Sequence, residues 1–253
     1  MVDYTQQGRI AILTLNRPEA RNAVNGQVAA AMEAGIDRLE EDPDVWVGVV
    51  AGTGPVFCAG ADLKAIASGQ AADLQTERGG FGGITARHRE KPLIAAVDGP
   101  ALAGGCEIVL SCDLVVASTA ARFGVPEVKR SLVAAAGGLF RLPRHLPRAV
   151  AMELVLTGDP IDAQRAHALG LVNELVEPGQ ALDAALALAE RIVVNAPVAV
   201  RESRRVVVEG ALADDETAWR LTREAMAKAV ATEDFQEGPR AFIEKRAPQW
   251  KGR

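Results

Sequence analysis

Residues 9–15 and 45–50 are short β-branched runs, and between them Val28, Met32, Ile36 and Leu39 recur at the spacing of one helix face behind a possible Asn25 cap. The chain is therefore expected to open as strand, helix, strand. Residues 93–97 and 114–117 are further predicted strands, and the stretch 105–110 between them is long enough only for a brief helix. From residue 181 the pattern turns helical. Leu182, Leu186, Ala189 and Val193 mark one face, Asn195 and Pro197 open a second helix that Gly210 closes, and Asp214 or Asp215 starts a third carrying Leu221, Ala225 and Met226. These helices are too apolar to stand alone and must pack on the main domain or on another subunit. Segment 68–83 breaks the pattern, with Gly69, Gly79, Gly80, Gly82 and Gly83 among polar residues. It reads as a mobile loop, whether a tolerated surface insertion or a lid or pocket wall.

A chain of 253 residues can bury a full core, and the pattern divides it into one α/β domain, residues 1–194, and a helical region, residues 195–253. The formal net charge of −5 gives no general attraction to nucleic acid or to an anionic membrane, so neither is expected as a partner. No leader-like start and no apolar run of roughly 20 residues is present, which predicts a soluble, cytoplasmic protein. Cys58, Cys106 and Cys112 are odd in number and lack metal or redox spacing, so they read as reduced core thiols. His88, His145 and His167 are scattered and read as structural or surface residues. No metal site is expected.

Candidate chemistry concentrates in three turns. Glu107 and Glu127 fall within Ala103-Gly104-Gly105-Cys106-Glu107 and Phe123-Gly124-Val125-Pro126-Glu127, downstream of Cys58-Ala59-Gly60-Ala61-Asp62. Two carboxyls in unlike surroundings can divide acid and base roles, and peptide N–H groups at glycine-permitted turns can hold a developing oxyanion. Each feature also has a plainer reading. Glu107 is where a helix start favours an acid, Glu127 could pair with Lys129 or Arg130 on the surface, and Asp62 could simply cap a helix. Gly52-Thr53-Gly54 lacks the third glycine and the downstream acid of a dinucleotide fingerprint.

Taken together and in order, these residues resemble the crotonase superfamily, the enoyl-CoA hydratases and isomerases. The resemblance runs from Asn16-Arg17-Pro18 with Asn22-Ala23, through Phe57-Cys58-Ala59-Gly60-Ala61-Asp62-Leu63 and Ala96-Val97-Asp98-Gly99, to Gly104-Gly105-Cys106-Glu107 and Pro126-Glu127. It closes on Glu237-Gly238-Pro239 with Phe242, Glu244, Lys245 and Arg246. The resemblance implies a crotonase-like spiral of ββα units with a C-terminal helical trimerisation region, assembled as a homotrimer or a dimer of trimers. It implies coenzyme A thioester substrates, with no separate cofactor. Ala61 and Gly104 would supply the oxyanion-hole N–H groups, and Glu107 and Glu127 would handle water and the α-carbon proton. Ala20, Ala59, Asp62, Leu63 and Pro126 would line the path of the substrate, with Phe242 and Lys245 reaching it from a neighbouring subunit.

The sequence departs from the family pattern at several points. Glu19 stands where a lysine is usual, so Arg21 would meet the coenzyme A phosphates. Ala103 replaces the first glycine of a Gly-Gly-Gly run, and residues 134–138 read Ala-Ala-Ala-Gly-Gly where Pro-Gly-Ala-Gly-Gly is common. Enoyl-CoA hydratase activity is the leading expectation, because two glutamates favour hydration over a double-bond shift. Similarity around Gly80-Phe81, Arg141-Leu142-Pro143 and the C-terminus makes carnitinyl-CoA dehydratase the runner-up, with enoyl-CoA isomerase also on the same scaffold. A non-catalytic acyl-CoA-binding oligomer is the reading from a different class.

Overall fold

The computed structural model describes residues 1–253. Strands β1 (Val2–Gln7) and β2 (Ile10–Leu15) pair antiparallel, α1 (Gly26–Glu41) crosses back, and β3 (Val47–Gly52) lies parallel to β2. The expected start is present. The Asn25 side chain accepts from the Val28 N–H and so satisfies a free donor at the α1 N-terminus, and Val28, Met32, Ile36 and Leu39 are all buried.

After α2 (Leu63–Ala67) come the two-residue strands β4 (Gln75–Thr76) and β5 (Gly80–Phe81), which form a hairpin. The segment expected to be a mobile loop is therefore built as a wall. Glu33 of α1 accepts from the Gly79 N–H at 2.9 Å and from the Thr76 hydroxyl, while Asp37 pairs with Arg78. The glycines that hid any periodicity let the chain turn back on α1.

The chain continues through β6 (Leu93–Val97), β7 (Ala101–Leu102), α3 (Gly104–Ser111), β8 (Leu114–Ser118) and β9 (Arg122–Gly124). Then follow α4 (Gly138–His145), α5 (Arg148–Thr157), β10 (Ile161–Asp162), α6 (Ala163–Ala168) and β11 (Glu174–Val176). The main sheet runs β1-β2-β3-β6-β8-β11, parallel except at its first pair, and a small second sheet runs β10-β9-β7. Each turn of the chain thus supplies a long strand to one sheet, a short one to the other, and a helix. This is the expected spiral of ββα units. Single bridges between Val24 and Ala61 and between Cys58 and Ala101 add the 58–62 turn to the short-strand layer, beside β7.

One face of the main sheet buries the larger core with α1 and α3, and the other is covered by α7 (Ala181–Val193). The expected face of Leu182, Leu186, Ala189 and Val193 does pack on the sheet, with Ala189 fully buried, and the fully buried ridge extends through Ala181 and Ala185. Alanines at every fourth position let the helix approach the β-branched surface of Val47, Val49 and Val116, and the leucines flank that contact half-buried.

Helices α8 (Pro197–Gly210), α9 (Asp215–Val230) and α10 (Asp234–Glu244) follow, α9 capped by the Asp214 side chain on the Thr217 N–H. Val207, Leu212, Trp219 and Phe242 in this region are exposed. No helix of the chain is long and apolar enough to cross a membrane.

The tie from α8 to the core is ionic. Asp113, at the start of β8, accepts from Arg89 at 2.5 Å and from Arg204 at 2.9 Å, and Arg89 is buried. Burial alone would raise the Asp113 pKa, but Arg89 and Arg204 outweigh it and hold the carboxyl below its usual range. A carboxyl depressed in the folded state stabilises above its unfolded pKa, and that contribution is lost as pH falls through the lower folded value. Asp113→Asn should lower stability at pH 7 by about 3 kcal/mol, because two guanidinium groups lose their counter-ion. Urea unfolding checks this: the parent–variant difference should shrink as pH drops below about 4, and a difference that is absent or independent of pH would contradict it.

Candidate active site

A cavity of about 1220 Å³ opens where the turns at 58–62, 103–107 and 126–127 converge. The first two turns lie against each other. Gly60 has φ +92°, and a Cβ placed there would come within 2.8 Å of the Ala103 Cβ and 3.0 Å of the Gly104 nitrogen. Only glycine permits this contact.

The 58–62 turn is braced from the segment 17–24. The Ala59 N–H donates to the Arg21 carbonyl and the Asp62 N–H to the Val24 carbonyl. The Cys58 thiol donates to the Asn22 carbonyl at 3.1 Å and accepts from the Gly60 N–H, while buried Asn22 donates to Thr53 and Val56. Ala61 follows directly. Its N–H, like that of Gly104 at the first turn of α3, makes no hydrogen bond within the chain, and both residues line the cavity. Unpaired N–H groups at a helix start carry partial positive charge and suit an anionic ligand atom.

The two carboxyls sit on the same cavity. Glu107, in the first turn of α3, is buried and accepts from the Gly138 N–H at 2.8 Å. Burial raises its pKa to about 7, with Glu127 adding to the rise and the Gly138 N–H and Arg141 opposing it. Glu127 lies in a short helical turn opened by Pro126, and burial raises its pKa as well. The surface ion pair considered for it does not form, since Lys129 pairs with Asp159. One Glu127 oxygen is instead buried without a partner. A buried carboxyl oxygen left open beside a cavity is a group kept available for a ligand or water.

Ala20, Arg21, Ala59, Asp62, Leu63 and Pro126 also line the cavity. Asp62 is chiefly occupied with structure, capping α2 through the Lys64 N–H and pairing with Arg17 at 3.2 Å. Arg21 and Glu19, both exposed, line the cavity, with Arg17 and Lys64 as further cations there. Phe242 and Lys245 do not line the cavity of their own chain: Phe242 is 85% exposed on α10, and Lys245 ends that helix. All three cysteines are buried, and burial pushes their thiols up to about 12. No histidine lines the cavity.

Three participants carried no role in the sequence reading. The Phe81 ring lies over Gly104, where any Cβ would come within 2.3 Å of it. Gly138 supplies the N–H on Glu107, and Arg141 lines the wall beside it. A phenylalanine between glycines in a chain with six was a signal for the first, and the glycine pair Gly137-Gly138 downstream of Glu127 for the second. The third was visible only in space.

Two carboxyls with raised pKa and two unpaired peptide donors share one cavity that also carries Arg17, Arg21 and Lys64, an arrangement able to move protons next to a polarised carbonyl. The comparisons agree with that class. The enoyl-CoA hydratase/isomerase family model matches residues 5–253, and the chain belongs to this family. It is 40% identical to the enoyl-CoA hydratase EchA19 of Mycobacterium tuberculosis over 98% of this chain and 95% of that protein. It is 37% identical to the carnitinyl-CoA dehydratase of Proteus mirabilis, over 98% and 97%. Among solved structures, an enoyl-CoA hydratase from Mycobacterium tuberculosis superposes with a TM-score of 0.96 at 48% identity, covering 100% of this chain and 99% of that one. A carnitinyl-CoA hydratase from Mycobacterium avium gives 0.78 at 46%, covering 100% and 98%.

Ala103 holds φ +53° and ψ −130°, a conformation that glycine adopts freely and an L side chain does not. Ala103→Gly should relieve this strain and raise stability by about 1 kcal/mol, or roughly 2 to 4 °C in melting temperature. A melting temperature unchanged or lowered would contradict the strain.

Proposed function

We propose that the protein is an enoyl-CoA hydratase that adds water across the 2,3 double bond of a 2-enoyl-CoA. The observation that carries this reading is the pairing of two available carboxyls, Glu107 and Glu127, with two unpaired peptide donors, Ala61 and Gly104, around one cavity. The thioester oxygen accepts from both N–H groups, which draws electron density from the β-carbon. One glutamate takes a proton from water as its oxygen bonds to that carbon. The electron pair of the double bond moves onto the thioester as an enolate, held by the two donors. The α-carbon then takes a proton from the other glutamate, so the net change is the addition of one water molecule. Each oxyanion donor contributes roughly 3 kcal/mol to the transition state, and each acid or base about 10²- to 10⁴-fold in rate.

Coenzyme A enters as part of the substrate, and the chemistry requires no other cofactor. Its phosphates meet Arg21 and neighbouring cations at the mouth, and Ala20, Ala59, Asp62, Leu63 and Pro126 border its path. Phe242 and Lys245 complete that path from a neighbouring copy. Exposed apolar side chains on α8–α10 support burial between copies, as a homotrimer or a dimer of trimers in the cytoplasm, with residues 195–253 as the assembling region.

The named relatives favour carnitinyl-CoA dehydratase as a second reading. Its substrate carries a trimethylammonium group, which calls for an aromatic or acidic cage. Here the cavity offers Phe81 and Phe140 as its aromatics, its acids are Glu19, Asp62, Glu107 and Glu127, and the last two are assigned to the chemistry beside Arg130 and Arg141, so a neutral acyl chain fits better.

The test follows loss of the conjugated thioester absorbance of crotonyl-CoA and of crotonobetainyl-CoA. The parent should consume crotonyl-CoA faster, with a pH profile that has a limb near 7 from the Glu107 carboxyl. Glu107→Gln and Glu127→Gln should each slow it about a hundredfold or more. Equal rates in all three proteins would sink two-carboxylate hydration, and faster turnover of crotonobetainyl-CoA would favour the second reading.

A further inference from the structure

Arg141 lies in α4 half-buried on the cavity wall, and both of its hydrogen bonds go to backbone carbonyls on different segments: Ala136 at 3.2 Å and Thr85 at 2.6 Å. Each segment carries part of the site. Ala136 leads into Gly137 and Gly138, and the Gly138 N–H holds the Glu107 carboxyl. Gly137 has φ +108°, and a Cβ there would meet the Arg141 guanidinium at 2.2 Å, so the fork lies directly on the loop that turns toward Glu107. On the other side, buried Thr85 bonds back to the Phe81 carbonyl through its N–H and its hydroxyl, and Phe81 covers Gly104.

We propose that Arg141 is a positioning residue: its guanidinium fork straps the loop carrying Gly138 to the wall carrying Phe81, and so holds the Glu107 carboxyl and the cover over Gly104 in one arrangement. A planar fork with fixed donors spans two carbonyls in one set geometry, whereas an ammonium on a flexible stem can reach two carbonyls but does not fix their relative orientation. The guanidinium is also the cation nearest to neutralising Glu107. The charged groups facing that carboxyl are Glu127 from the 126–130 turn and Arg141 from α4, while its helix neighbour Cys106 is a buried neutral thiol. Arg130 acts on Glu127, and Arg89 and Arg144 face Arg141. Removing the Arg141 charge leaves Glu107 with burial and Glu127, both of which favour its protonated form.

The test rests on the hydratase reading and compares the full-length parent with Arg141→Met, Arg141→Lys and Arg144→Met on crotonyl-CoA. Arg144 is exposed on the same helix and stacks on Phe140 at 4.9 Å, so its variant controls for loss of a nearby charge. Arg141→Met should lose roughly ten- to a hundredfold in kcat with KM changed less than about threefold. Its limb near pH 7 should move upward by about half a unit or more. Arg141→Lys should keep the limb in place and still lose about tenfold in kcat, and Arg144→Met should match the parent. Parent-like kcat and pH profile in Arg141→Met, a loss confined to KM, or full rescue by lysine would each overturn the strap. An inactive parent would strike the hydratase reading instead. The strap would then be read from amide exchange at 79–86 and 134–138, which should rise in both Arg141 variants and not in Arg144→Met; unchanged exchange would overturn it.

Discussion

The close seating of the Gly60 turn on the Ala103–Gly104 turn governs the arrangement of the site. With no side chain at residue 60, the two backbones approach until Gly104 nitrogen would stand 3.0 Å from a Cβ there. That approach brings the peptide units of Ala61 and Gly104 to one cavity with their N–H groups unpaired. Around it the structure is built to hold. Cys58 and Asn22 fix one turn, β7 and the Ala103 N–H on the Gly124 carbonyl fix the other, and Phe81 closes over Gly104. Unmade hydrogen bonds and an alanine at positive φ both cost stability, and the parallel sheet beneath supplies the rigidity that sustains them.

Electrostatics complements that geometry. Burial raises both glutamates, and the Glu127 charge adds to the rise at Glu107, which is pushed up to about 7. A surface pair of glutamates would both be ionised at pH 7 and neither could donate. Arg141 and the Gly138 N–H limit the rise at Glu107 and keep its carboxyl within reach of pH 7, where transfer in either direction is inexpensive. The cations Arg17, Arg21 and Lys64 on the same cavity concentrate positive charge locally in a protein that is acidic overall, which under the proposed function suits the anionic end of a substrate.

Much of this was legible in the sequence where periodicity or glycine placement is strong. The α1 face, the central strands and the short helix after Gly104 follow from spacing alone, and the ordered motifs single out Ala61, Gly104, Glu107 and Glu127, which line one cavity. Strands of two or three residues such as β7, β9 and β10 are too short to show alternation, although they build the second sheet. The wall at 75–86 was obscured because its glycines break periodicity, yet its anchor, Glu33, lies more than forty residues earlier. The α7 face was legible through Ala189 and its leucines, but Ala181 and Ala185 were missed because leucines dominate a sequence pattern, whereas close helix–sheet contact selects alanines. Arg141 was hidden for a related reason: its bonds go to carbonyls, which every residue has, so no pattern of side chains reveals them.

The most direct test of the account is the infrared stretch of the thioester carbonyl in a bound, unreactive acyl-CoA carrying carbon-13 at that position. If the Ala61 and Gly104 N–H groups both donate to the oxygen, the band should fall well below its frequency in solution, as a polarised carbonyl requires. A band at the solution frequency in the saturated complex would mean that the two donors do not engage the thioester, and would contradict the oxyanion-hole account.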